Sequence, residues 1–154
     1  MLLDGRLFGR GKVGIVLTHM GRPGDTQCDW LGLARALAGK GYLVLTYDRR
    51  GVCPGGMGGC SAGSDEYYLD WKDVVGAGNF LRRKGARDIV LAGASIGAMA
   101  SLYAASAGRI EPVALIEFAG INHASGYDFN PRQVARIGGS KLFLSARDDI
   151  YGGG

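Results

Sequence analysis

Ser95 lies in the run Gly93-Ala94-Ser95-Ile96-Gly97, which fits the pattern G-x-S-x-G. An apolar, strand-like stretch leads up to this serine, and an alanine-rich stretch that favours a helix follows it. At such a strand-to-helix turn the serine adopts a strained backbone conformation with its hydroxyl in solvent, and the glycines avoid clashes with neighbouring elements. The pattern therefore predicts a nucleophile for acyl transfer, with a tight packing turn as the alternative.

Acyl transfer places a negative charge on one oxygen, which needs nearby hydrogen-bond donors. The amide of Ile96, at the start of the predicted helix, is one candidate donor. The loop His19-Met20-Gly21 follows another apolar strand, and the amide of Met20 or Gly21 is the second. We interpret His19 as a residue that orders this loop rather than as a catalytic base.

An acid that orients a base is expected a few residues beyond a strand end, where its side chain can turn back over the sheet. Asp148 and Asp149 occupy such a position after the strand-like run Lys141–Ser145. We favour Asp149 over Asp148, with a surface turn as the alternative for the pair. Glu117, near the end of the preceding strand, is a less favoured acid.

Short apolar runs alternate with helical stretches along the whole sequence. This alternation predicts a single α/β domain over residues 1–154, with a doubly wound, mostly parallel sheet and helices on both faces. Ligands of such sheets bind at the carboxyl ends of the strands. The predicted strands span Leu2–Phe8, Val13–Thr18, Tyr42–Tyr47, Asp88–Ala92, Pro112–Phe118 and Lys141–Ser145, and the predicted helices span Cys28–Gly39, Tyr68–Lys84, Ser95–Ala107 and Pro131–Ile137.

Taken together, these segments resemble the α/β-hydrolase fold family, and most of all its compact bacterial esterases and dienelactone hydrolases. The resemblance implies a hydrolase of small-molecule esters or related acyl compounds that acts through an acyl-serine and needs no cofactor. It implies Ser95 as the nucleophile, Asp149 as the acid, and the amides of Met20 and Ile96 as the oxyanion hole. The segments that carry it are LTHMGRPGDTQCDW, LVLTYDRRG with the family's D-x-R-G turn, LAGASIGA and KLFLSARDD.

The sequence departs from that family at the general base, which is a histidine located after the acid. The two histidines of this sequence, His19 and His123, both precede Asp149. We interpret His123 as a polar loop residue, and we expect the last strand and the base to be missing. Three alternatives follow: a hydrolase given in part and weak or inactive by itself, a relative that binds a ligand without cleaving it, or a module that forms a homodimer through an exposed sheet edge at Lys141–Ser145. We favour the first.

Composition limits the remaining classes of function. A net charge of +4 in 154 residues, with scattered basic residues, argues against a nucleic-acid-binding surface. The uncharged run Ile89–Gly108 has the length of a membrane span, but glycine and serine dilute it. We expect a cytoplasmic protein without a metal site, with Cys28, Cys53 and Cys60 as reduced thiols, and a Cys53–Cys60 disulfide as the alternative.

Two loops are expected to shape the substrate pocket. One spans Cys53–Gly63, and the other spans Ile121–Asn130. Within the second loop, Tyr127 and Phe129 favour an apolar acyl or aromatic site.

Overall fold

The computed structural model describes residues 1–53, 59–120, 123–124 and 126–149. Within these residues, strands and helices alternate along the chain. The strands are β1 (Gly5–Gly9), β2 (Val13–Thr18), β3 (Leu43–Tyr47), β4 (Asp88–Ala94), β5 (Ala114–Phe118), β6 (His123–Ala124), β7 (Tyr127–Asp128) and β8 (Ser140–Leu144), and the helices are α1 (Leu31–Gly39), α2 (Trp71–Arg83), α3 (Ile96–Ser106) and α4 (Pro131–Ala135).

Six of these strands form one sheet in the order β1-β3-β2-β4-β5-β8. β1 pairs antiparallel with β3, and the other neighbours in this sheet are parallel. β6 and β7 form a separate antiparallel hairpin. The mostly parallel α/β sheet expected from the sequence is confirmed.

Alternate residues of the central strands face two separate apolar layers. Val16 contributes to the layer formed with α2 and α3, which includes Leu81 and Met99. Ile15 and Leu17 point to the opposite face and pack in the smaller layer around α1. The strands are apolar on both faces because helices cover both faces, as is usual for parallel sheets.

The described helices and strands differ from the sequence-based expectations at several points. The predicted helix from Tyr68 begins as a short 3-10 helix, Tyr67–Leu69, before α2, and α4 ends at Ala135 rather than at Ile137. The predicted helix from Cys28 begins as a short 3-10 helix, Gln27–Trp30, and Thr26 and Asp29 form a reciprocal capping box at its start. The hairpin of β6 and β7 was not predicted, because two-residue strands are too short to produce an alternating pattern.

The prediction of reduced, unpaired thiols was wrong for two of the three cysteines. Cys53 and Cys60 form a disulfide, with their Cα atoms 4.2 Å apart. Cys28 is free and exposed. Residues 54–58, between the two cysteines, lie outside the described part of the chain.

The uncharged run Ile89–Gly108 divides into β4, a turn at Ser95 and α3. Among the residues that the structure describes, no helix has the length and apolarity needed to cross a membrane.

β8 is an edge strand whose residues are all exposed. Its three apolar side chains, Leu142, Phe143 and Leu144, expose 49%, 54% and 44% of their surface. An open edge of this kind presents unpaired backbone groups to other chains. The exposed edge expected from the sequence is therefore present.

Candidate active site

Ser95 forms the turn between β4 and α3 with φ 51° and ψ −120°, a conformation that L-residues rarely adopt. The residue is exposed, although the residues on both sides of it are buried. Its amide donates to the carbonyl of Phe118 at 2.9 Å, which anchors the turn to the end of β5. Strain of this kind persists only where the surrounding structure enforces it, and it concentrates at functional sites.

The two flanking glycines are required by close backbone contacts. A methyl group at Gly93 would overlap the backbone of Gly97, one turn into the helix. A methyl group at Gly97 would overlap the carbonyl of Thr18 and lie 2.6 Å from that of His19. The turn and the first turn of α3 are therefore packed directly against the carboxyl end of β2. This contact explains the glycine spacing seen in the sequence.

The loop after β2 lies beside the start of α3. A methyl group at Gly21 would sit 2.8 Å from Cγ2 of Ile96, so the backbone of this loop approaches the first helical residue closely. As the first residue of α3, Ile96 has an amide without an intrahelical acceptor. The structure thus brings Ser95, Ile96 and the Met20–Gly21 segment together at the carboxyl ends of the parallel strands.

His19 has both ring nitrogens engaged in this loop and is 1% exposed. Its Nδ1 bonds to the carbonyl of Met20 at 2.6 Å, and its Nε2 accepts the amide of Arg49 at 3.1 Å. Burial, reinforced by the charge of Arg49, lowers the pKa of His19. A neutral ring that donates through Nδ1 satisfies both contacts. The histidine orders the loop, as the sequence indicated.

An arginine–aspartate cluster, which sequence reasoning missed, supports the same loop. Arg49 is 2% exposed and donates to the Met20 carbonyl at 3.3 Å and to the Asp70 carboxylate at 2.6 Å. Arg50 donates to the Asp73 carboxylate, also at 2.6 Å. Burial raises the pKa of Asp70 to about 7, although Arg49 opposes the rise.

The sequence signal for this cluster was present but weak. Two adjacent arginines follow a buried strand, and Asp70 and Asp73 are spaced three residues apart at the start of a predicted helix. The sequence does not reveal that these charges are buried, because arginine and aspartate are usually exposed.

Asp149 lies in the turn after β8, at the carboxyl ends of the strands, as Ser95 does. Its carboxylate accepts a hydrogen bond from the Ser145 hydroxyl at 3.4 Å, and its amide donates to the carbonyl of Ala146 at 3.1 Å. β8 is two strand positions away from β4, or about 10 Å across the sheet. The structure therefore places Asp149 and Ser95 at the same ends of the parallel strands, on two strands that are separated by β5. Asp148 occupies the same exposed turn, so the choice between the two carboxylates stays a prediction.

The other predicted site residues are less well defined. The backbone of His123 lies in β6, opposite Asp128 in the hairpin, and its side chain falls outside the described part of the chain. The pocket loops predicted at Cys53–Gly63 and Ile121–Asn130 also fall partly outside it.

Among the described residues, no cluster of three or more histidine, cysteine, aspartate or glutamate side chains is suited to hold a metal ion. Where the structure describes the chain, no side chain bonds to the Ser95 hydroxyl.

The sequence comparison agrees with this geometry. A family model for the alpha/beta hydrolase fold matches residues 14–136. The chain belongs to the α/β-hydrolase fold family, so the resemblance seen in the sequence is confirmed. A search of curated proteins gave no match.

Solved structures of hydrolases share the fold. An alpha-beta serine hydrolase homologue from Coxiella burnetii has a TM-score of 0.72 and 20% identity, covering 97% of this chain and 71% of its own. A lidless serine hydrolase from Xanthomonas campestris has a TM-score of 0.67 and 21% identity, covering 97% and 81%. A monoacylglycerol lipase from Paleococcus ferrophilus has a TM-score of 0.61 and 19% identity, covering 80% and 45%. This chain spans less than half the length of that lipase and of other hydrolases that it matches.

Proposed function

We propose that this chain carries the nucleophile, the oxyanion hole and the acid of a serine hydrolase that cleaves small-molecule esters or related acyl compounds. The observation that carries the proposal is Ser95, exposed at φ 51° between a strand and a helix, with glycine backbones packed on both sides. A packing turn would not need an exposed hydroxyl in a strained conformation. The lipases and esterases among the similar folds support the same reaction class.

In the proposed reaction, Ser95 Oγ attacks the substrate carbonyl and loses its proton to a base. The negative charge that forms on the carbonyl oxygen is stabilised by the amides of Ile96 and Met20. As this intermediate collapses, the base gives the proton to the leaving oxygen, so that a neutral alcohol departs and an acyl-serine remains, which water then hydrolyses. Asp149 would hold the base in position in this scheme.

We propose that this chain by itself is a weak catalyst or an inactive one. His19 is buried and has both nitrogens in hydrogen bonds, so it is not free to take the Ser95 proton. Without a base, a serine hydroxyl is a poor nucleophile at neutral pH. Enzymes of this type that lose one triad member keep a residual acceleration of about 10³–10⁴ over water.

Reaction with p-nitrophenyl acetate tests this proposal. We expect slow nitrophenol release and an acetylated protein in intact mass spectra, with the acetyl group mapped to Ser95. Ser95→Ala should abolish both signals. Ser106→Ala, at the far end of the same helix, is the matched control and should retain them.

Two outcomes would contradict parts of the proposal. Acetylation that is unchanged in Ser95→Ala would remove Ser95 as the nucleophile. Turnover by the 154-residue chain at the rate of ordinary esterases would show that a base is present within it.

A second candidate is a non-catalytic relative that forms a homodimer through the sheet edge. The exposure of Leu142, Phe143 and Leu144 on β8 favours it. Sedimentation of the chain over a range of concentrations tests it, with Leu142→Lys as the disrupting variant and Leu33→Lys, another exposed leucine, as the control. A monomer at all concentrations would eliminate this candidate.

We also propose that residues 1–154 form one domain. We further propose that this domain is located in the cytoplasm. The Cys53–Cys60 disulfide provides a check on the location, because disulfides rarely persist in a reducing compartment. Thiol trapping at the moment of lysis tests whether the disulfide of the structure also forms in the cell. Oxidised cysteines would favour an exported protein.

A further inference from the structure

Glu117 on β5 carries a buried carboxyl that has no hydrogen-bond partner at Oε1 among the described residues. The residue is 2% exposed. By contrast, the buried hydroxyl of Ser101 nearby on α3 donates to the carbonyl of Gly97 at 2.8 Å. Buried polar groups in proteins are nearly always paired, so an unpaired carboxyl requires an explanation.

The carboxyl faces a cavity of about 260 Å³ between β5, β8, α3 and α4. Phe143 is the register partner of Glu117 on β8, so the two side chains lie next to each other on one face of the sheet. The volume is below the 300–1,000 Å³ of a complete ligand pocket, and it suits one group of a larger ligand. The other lining residues are mostly apolar: Leu102, Gly120, Phe129, Asn130, Pro131 and Val134.

The cavity lies beside the strand that anchors the nucleophile turn, because Phe118, whose carbonyl accepts the Ser95 amide, directly follows Glu117. A methyl group at Gly120 would lie 3.1 Å from Glu117 Oε2 and 3.1 Å from the Cβ of Ala98. Ala98 is three residues after Ser95, which places it on the same side of α3 and about one turn along the helix. Gly120 therefore lies between the Glu117 carboxyl and the helix that begins after Ser95.

The chemistry of the cavity selects an uncharged partner for Glu117. Burial raises the pKa of the Glu117 carboxyl well above its ordinary value of 4.5, so the neutral acid is favoured. A neutral carboxyl both donates and accepts a hydrogen bond. Among the described lining residues, a carboxylate ligand would find no cationic side chain, and an ammonium group would exchange its hydration for a single partner.

We propose that this cavity is a substrate subsite in which Glu117 binds the uncharged polar end of an apolar group, such as an alcohol or a primary amide. The subsite rests on the proposed function, because it identifies part of the molecule that Ser95 would cleave. It assigns to the substrate a short apolar segment that ends in a group with both a donor and an acceptor.

Binding of four five-carbon probes tests the subsite without any chemistry at Ser95. The probes are pentanamide, 1-pentanol, pentanoate and pentylammonium, which differ only in the end group. We expect the amide and the alcohol to shift the NMR signals of Leu102 and Val134, with affinities at least fivefold above those of the two ions. The titrations are run on the wild-type chain and on Ser95→Ala, and the two should agree.

Substitutions at Glu117 complete the test. Glu117→Gln should bind pentanamide within about threefold of the wild type, and Glu117→Leu should bind it at least fivefold more weakly. Glu111→Gln, an exposed residue before β5, is the matched control. Equal amide binding by Glu117→Leu and wild type, tighter binding of an ion, shifts that map elsewhere, or no binding by any probe would each overturn the subsite.

The two proposals fail in distinguishable ways. Loss of Ser95 acetylation together with intact amide binding would remove the hydrolase and leave a ligand site. Acetylation of Ser95 without amide binding at Glu117 would remove the subsite alone.

Discussion

Two sets of buried carboxyls lie on the same side of the sheet, and they differ in whether a cationic side chain pairs with them. In the arginine–aspartate cluster, Asp70 and Asp73 are almost fully buried and each has an arginine partner at 2.6 Å. Glu117, three strands away from β3 in the sheet, is equally buried and has no partner among the described residues. The first arrangement fixes a loop in one conformation. The second keeps a hydrogen-bonding group available, which is suited to a ligand.

The largest expected effect comes from breaking the cluster. Arg50→Met should destabilise the fold by about 3–5 kcal/mol, because Asp73 is then a buried charge without its partner. Urea unfolding followed by circular dichroism measures the loss. The double variant Arg50→Met/Asp73→Leu should recover part of it, since an apolar pair can replace a buried ion pair but leaves the backbone amide of residue 50 without its Asp73 acceptor. A single variant that loses less than about 1 kcal/mol would show that Arg50 does not balance Asp73.

The opposite sign is expected at Glu117. Glu117→Leu should stabilise the fold by about 1–3 kcal/mol at neutral pH, because it removes an unsatisfied buried polar group. The same unfolding measurement checks this gain. Asp73→Leu is the control in the cluster and should destabilise the fold, because it leaves the Arg50 charge with only the Asp70 carboxylate at 4.0 Å. Destabilisation by both substitutions would end the contrast between the two regions.

The pH dependence of stability sharpens the comparison. Burial raises the pKa of Glu117 above its ordinary value of 4.5, so the folded state keeps a proton that the unfolded state releases. Stability should therefore fall as the pH rises above about 4.5, by at most about 1.4 kcal/mol per pH unit for one proton. Asp70, with a pKa of about 7, contributes a loss of the same sign that ends near neutral pH.

Glu117→Gln isolates the Glu117 contribution. Its unfolding free energy, measured from pH 4 to pH 8, should decline less steeply than that of the wild type. The decline that remains below pH 7 is assigned to Asp70. Parallel profiles for the two proteins would show that Glu117 is ionised in the folded state.

The fold and the nucleophile turn could be predicted because both depend on local patterns. The apolar strands β2 and β3 must be buried, and the spacing of Gly93, Ser95 and Gly97 follows from steric contacts within a few residues of the turn. Both patterns can be recognised from neighbouring residues in the sequence. Because β2 and β4 are parallel neighbours, Ser95 and the Met20–Gly21 loop then lie next to each other at the carboxyl ends of these strands.

The buried charges could not be predicted in the same way. Asp70 and Asp73 pair with arginines about twenty residues earlier, and nothing local distinguishes them from exposed residues of a helix start. Glu117 occupies a strand position whose burial depends on α3, α4 and β8 packing over it. The Cys53–Cys60 disulfide was only the less favoured alternative, because the sequence could not show that these two cysteines lie in contact.

The smallest expected effect distinguishes two carboxylates that share one arginine. Arg49 Nη1 contacts the buried Asp70 at 2.6 Å and the half-exposed Asp65 at 3.2 Å. Asp65→Asn should change the free energy of unfolding by only about 0–1 kcal/mol, because water solvates that side chain and screens the pair. Asp70→Asn, measured by the same urea unfolding, should cost clearly more, because it leaves the buried Arg49 charge with only this solvated partner. Equal costs at the two positions would mean that burial does not set the strength of these pairs, and the contrast between the cluster and Glu117 would then lose its physical basis.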